Sequence, residues 1–71
     1  MDKYTISISF DDETQRWYTI NDDIPIILED GSLDKLIYRI KLAAPEILEL
    51  NGKPHKNIHL IFKMEAQAIV A

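Results

Sequence analysis

Apolar and polar residues alternate strictly from Tyr4 to Phe10. Tyr4, Ile6, Ile8 and Phe10 fall on one side; Thr5, Ser7 and Ser9 fall on the other. A period of two, rich in β-branched and aromatic residues, predicts a strand with one buried face. Asp11-Asp12-Glu13-Thr14-Gln15 is polar throughout and reads as a hairpin loop. Arg16-Trp17-Tyr18-Thr19-Ile20 returns as a second strand, and Asn21-Asp22-Asp23 marks another turn. The apolar run Ile24 to Leu28 predicts a short third strand. Pro25 has no N–H for a ladder, so this strand is expected to be irregular or at an edge. Glu29-Asp30-Gly31 then turns the chain.

From here the period changes. Ser32 is a good N-cap, and Asp34 suits the positive end of a helix. Apolar residues recur at 33, 36, 37, 40, 44, 47 and 48, which is helical spacing. Pro45 interrupts the pattern by removing a backbone bond and crowding the carbonyl of Lys41. The expectation is a helix from Leu33 to Ala43, then a kink or break before a short second turn. Asn51-Gly52, with Pro54 beyond, is a stop signal. Asn57 to Met64 alternates again, with Ile58, Leu60, Phe62 and Met64 on one face and His59, Ile61 and Lys63 on the other. The apolar stretch 66–71 is either a strand extension or a tail packed on a neighbour.

The order predicted is β-β-β-α-β, a single α+β domain over residues 1–71 with its core at about 4–64 and a tail at 65–71. One helix covers one face of a sheet. The even-numbered residues of strand one, with Ile58, Leu60 and Phe62, are expected to meet Leu33, Leu36, Ile37 and Ile40. Thr5, Ser7, Ser9, Thr19, His59 and Lys63 are left for the open face. If Tyr18 and Ile20 point inward, Trp17 lies on that open face near Ile61, as an anchor for a partner. Equally, Trp17 grips its cross-strand neighbours.

Composition narrows the functions. Seventy-one residues without cysteine make one small domain with no disulfide or thiolate metal site. Packing, and self-association to a dimer or higher, must supply stability. No apolar run is long enough for a membrane span, and the N-terminus lacks a signal-like segment, so a cytoplasmic location is expected. The net charge of −4 is unevenly spread. Residues 1–34 carry nine acids and two bases, net −7, and residues 35–71 carry three acids and six bases, net +3. The acidic half does not suit a nucleic-acid backbone. It suits a basic protein partner, whose encounter it would speed, or it is simply a solvated surface.

No constellation for catalysis stands out. His55 and His59 flank a loop-to-strand junction without a carboxylate between them, which is poor metal-ligand spacing. The serines read as strand face and helix cap, and the glycines form no phosphate loop. The acids at Asp11-Asp12-Glu13, Asp22-Asp23 and Glu29-Asp30 all sit at predicted turns, where Asp bonds to backbone. A degenerate nuclease would need Asp11, Asp22 and Glu29 to converge on a divalent ion. Neither an enzyme nor a cofactor is expected.

Phe10-Asp11-Asp12-Glu13 with Trp17, then Asp22-Asp23-Ile24-Pro25, Ser32-Leu33-Asp34-Lys35-Leu36 and Ala43-Ala44-Pro45-Glu46-Ile47-Leu48-Glu49-Leu50-Asn51-Gly52 together resemble the small HicB-like proteins. The likeness covers about residues 4–64 and is strongest to a short branch of unassigned function. It implies a two-layer fold related to a partial ribonuclease-H-like domain without the catalytic carboxylates. It also implies an antitoxin-like role, masking a small basic ribonuclease toxin, and self-association. Two departures stand out. Ile26 replaces the glycine that often follows the proline in that family, and no helix-turn-helix or ribbon-helix-helix module follows, so operator binding is not implied. Trp17, Asp11, Asp12, Glu13, Asp22 and Asp23 are the expected partner-binding residues. The alternative is a self-associating stand-alone domain, open to a small ligand.

Overall fold

The computed structural model describes residues 2–20 and 22–65, the last by its backbone alone. Strands β1 (Lys3–Asp11), β2 (Arg16–Ile20) and β3 (Glu29–Asp30) precede one helix, α1 (Leu33–Leu50), and strand β4 (His59–Glu65). The sheet order is β3-β2-β1-β4. β1 and β2 form the antiparallel hairpin, β3 adds antiparallel to β2, and β4 returns parallel to β1. The expected α+β arrangement of β-β-β-α-β order is the one observed. The apolar stretch 66–71 lies outside the described residues.

The alternation of β1 determines the layers. Tyr4, Ile6 and Ile8 are buried beneath the helix, with Leu36, Ile40, Ala44 and Leu48 facing them and Ile24 and Ile26 completing the core. Leu33, Ile37, Ile58, Leu60 and Phe62 pack around this centre as expected.

The helix departs from expectation because it runs unbroken through Pro45. Leu36, Ile40, Ala44 and Leu48 recur every four residues across the proline, each with no exposed surface. An interior proline costs about 3 kcal/mol. Burying each large side chain of that stripe returns about 1.5–3 kcal/mol, so packing prevails. The carbonyl that Pro45 deprives of its partner belongs to Lys41, an exposed residue within reach of water. At the N-terminus, the Ser32 hydroxyl accepts from the Lys35 N–H at 3.3 Å. At the C-terminus, Gly52 takes the left-handed conformation (φ 67°). Its N–H donates to the Glu49 carbonyl at 3.0 Å, and that of Lys53 donates to Leu48 at 2.9 Å. These two bonds form a Schellman motif, in which a glycine at this position avoids Cβ strain.

The third strand also differs. Ile24 to Leu28 is irregular, as Pro25 predicted, and lies outside the ladder, while the edge strand β3 is the Glu29–Asp30 pair that the sequence suggested as a turn. Pro25 sits at the centre of a tight turn in which the Ile26 N–H donates to the Ile24 carbonyl at 2.8 Å. That turn suits the fixed proline φ. Both isoleucines drop into the core, at 1% and 2% exposure, one on each side of the Pro25 turn.

Candidate functional site

The β1–β2 hairpin registers Asp11 opposite Arg16, Phe10 opposite Trp17 and Ser9 opposite Tyr18. Residues opposite one another share a face. Trp17 therefore lies on the helix side, half-buried, its ring 4.9 Å from that of Phe10 and tilted by 56°. The open face carries Tyr18 and Ile20 instead. The inward placement of Tyr18 and Ile20 is therefore not met, and the other reading, in which Trp17 grips its cross-strand neighbour, is the one observed. Thr19 likewise belongs with Ile8 on the helix side rather than on the open face.

The acidic hairpin turn is built by its own side chains. The Asp11 carboxylate accepts from the Glu13 N–H at 2.9 Å, and the Gln15 N–H donates to the Asp11 carbonyl at 2.8 Å. Gln15, at φ 58°, donates its side-chain amide to the Asp12 carbonyl at 2.7 Å. These bonds use one Asp11 oxygen and main-chain groups. The carboxylates of Asp12 and Glu13 remain exposed and have no ion-pair partner among the described residues.

Asp22 and Asp23 do different work. Asp23 accepts from the Thr5 N–H at 2.7 Å, while its own N–H donates to the Thr5 carbonyl at 3.3 Å. Asp22 accepts from the Ser7 hydroxyl at 3.0 Å. Together they latch the β2–β3 turn onto β1 and account for Ser7 being buried on the otherwise open face. Ser7 lies four residues from Asp11 along β1, about 13 Å at strand spacing. The two acidic turns consequently sit at opposite ends of the hairpin.

Beside the first turn is an open groove of about 550 Å³ whose walls include Asp11, Arg16, Tyr18, Ile27, Glu29 and Arg39. The arginines are engaged. Arg16 Nε lies 3.2 Å from Glu29 Oε1. Arg39 Nη1 donates to the Glu29 carbonyl at 2.9 Å and lies 3.4 Å from the Asp30 carboxylate. The Ser32 N–H bonds the other Asp30 oxygen at 2.9 Å and, with Arg39, holds that carboxyl below the usual carboxylate range. Ile27 is 83% exposed at the groove and Tyr18 is 38% exposed. Asp11 and Glu29 therefore share one groove, and Asp22 does not join them. Among the described residues no cluster of three or more His, Cys, Asp or Glu side chains is placed to hold a metal ion. No described helix is long and apolar enough to cross a membrane.

Sequence reasoning found the acidic turn but missed Tyr18, Ile27 and Arg39. Closing the hairpin at Asp11 and Arg16 would have placed Tyr18 beside Ser9 by parity alone. Ile27 carried no such signal, because its neighbours Ile26 and Leu28 are equally apolar.

Comparison with known proteins agrees with this architecture. A family model described as a domain of unknown function (DUF1902) matches residues 3–70, and the chain belongs to that family. No curated protein matches. Among solved structures, the chain is similar to the hypothetical protein TTHA1013 from the extremely thermophilic bacterium Thermus thermophilus. The identity is 24%, the TM-score is 0.73, and the match covers 97% of each chain. At that identity the likeness speaks to the fold.

Proposed function

We propose, from the resemblance of its motifs to the HicB-like proteins, that this chain is a non-enzymatic protein-binding module of the HicB antitoxin type. It would mask a small, basic ribonuclease. The observation that supports this reading is the groove that lies beside the acidic hairpin turn. Tyr18 and Ile27 offer apolar contact there, while Asp12 and Glu13 project charge with no cation of their own. Arg16 and Arg39 pair with Glu29 and Asp30, so the uncompensated charge lies on the adjacent hairpin turn, at Asp12 and Glu13. Such a surface suits a basic partner that inserts an apolar side chain. Exposed charge accelerates encounter, and an apolar anchor slows dissociation. Trp17 contributes from behind by fixing the hairpin through Phe10. Asp22 and Asp23 add to the negative field from the far end.

The test is capture of a small basic protein in stoichiometric amount from the native cell, followed by assay of the purified partner's ribonuclease activity with and without this chain. Silencing at equimolar ratio is expected. Asp12→Lys with Glu13→Lys should slow association about tenfold at low salt and flatten its salt dependence. Unchanged association would place the contact elsewhere. The groove volume also falls within the roughly 300–1,000 Å³ typical of small-molecule sites. Recovery of the protein alone would turn attention to that alternative.

A further inference from the structure

The sheet ends on one side at β4, a seven-residue strand. The His59 N–H donates to the Asp2 carbonyl at 2.8 Å, so the odd-numbered residues of β4 direct their backbone groups toward β1. Alternate residues direct theirs the other way. Leu60, Phe62 and Met64 therefore present N–H and C=O outward, and no described strand lies beyond them. A long edge of this kind is a template for another strand.

We infer that two copies of this chain pair through their β4 strands, antiparallel and two-fold symmetric about Phe62, joining their sheets into one. The sequence of β4 selects this register. Leu60 meets Met64 of the second copy and Phe62 meets Phe62, so every outward backbone group in the strand finds a partner, each pair exchanging two bonds. These residues lie on the helix side with Tyr4, Ile6 and Ile8, so the pairing extends the apolar layer across the seam. It covers Met64, which is 42% exposed in the single chain. On the open face, Ile61 meets Lys63 of the second copy and His59 comes opposite Glu65 by position. A two-residue shift one way sets Met64 against Ile58, which lies outside the strand, and the shift the other way sets Lys63 against Lys63. Antiparallel pairing closes on itself, whereas a parallel pairing has no two-fold axis and would leave edges free.

Ile61 is 40% exposed, so substituting it leaves the core intact. It meets Lys63 across a close pair whose backbone groups do not bond across the seam, where side chains approach most nearly. Sedimentation equilibrium of the full chain at tens of micromolar is expected to show a dimer. Ile61→Lys places like charges opposite each other twice per dimer and should raise Kd roughly tenfold. Ile61→Glu places opposite charges and should hold or tighten the dimer at low salt. As a second variant, Met64→Pro removes an outward N–H and the half-exposed side chain while leaving the backbone bonds to β1 in place. It should yield a folded monomer by circular dichroism and denaturation. A monomeric parent protein, equal weakening by both Ile61 variants, or a dimer indifferent to Ile61→Lys would each overturn the inference.

Discussion

The two edges of this sheet are finished in different ways. At β3 the ladder is only two residues long, and the segment before it satisfies its backbone through a side chain. The Thr19 hydroxyl donates to the Ile26 carbonyl at 2.8 Å and accepts from the Leu28 N–H at 3.0 Å. Arg39 covers the Glu29 carbonyl, and Pro25 removes a donor outright. At β4 seven residues run straight with alternating apolar side chains. A short, bulged or proline-containing edge discourages strand addition; a long regular one invites it. The contrast shows that edge protection here is local. It follows from a few residues between Thr19 and Arg39 rather than from the fold as a whole.

The comparison can be broken most severely inside the β3 side. Ile26→Ala should cost about 2–5 kcal/mol, since the side chain is almost wholly buried. Its neighbour Ile27→Ala should cost less than about 0.5 kcal/mol. Urea denaturation of the pair measures both, and equal losses would mean the segment does not plug the core. A smaller effect is expected from Thr19→Val, which strips the Leu28 N–H of its acceptor for about 1–3 kcal/mol. It should also raise amide exchange at Leu28 while leaving β4 protected.

The smallest effect is electrostatic. Asp30 has a folded pKa below its ordinary value of 3.8, chiefly through the Ser32 N–H and then Arg39. Its contribution is therefore present above about pH 4 and is lost as pH falls through the lowered value. The acid limb of the stability curve should be shallower in Asp30→Asn, and curves that superimpose would remove Asp30 as a clasp on the β3 edge.

These differences also mark where the sequence could be read. β1, β2 and the helix start were legible because period, turn chemistry and cap agree over short distances. Ser32 caps as expected, and Leu36 and Ile40 are fully buried. The helix beyond Ala43 was not legible. Local chemistry at Pro45 argued for a break, and only the packing of Ala44 and Leu48 against the sheet overrides it. The irregular edge at the third strand was legible from Pro25, but its facing was not. Five consecutive residues with four apolar side chains gave no parity, so Ile24 and Ile26 could not be told from Ile27. Within the candidate site the acidic turn was visible in composition. The facing of Trp17 and Tyr18 required the hairpin register, which pairwise alternation alone leaves undetermined.

The parallel pairing of β1 with β4 has a kinetic consequence. It joins Lys3 to His59, nearly the full span of the described chain. The hairpin can form from neighbours, but the central strand acquires its second partner only after the intervening loop closes, at an entropic cost paid before the contact forms. Formation of the complete sheet should thus be slow for a chain of this size. Until it completes, β1 itself stands as a bare edge.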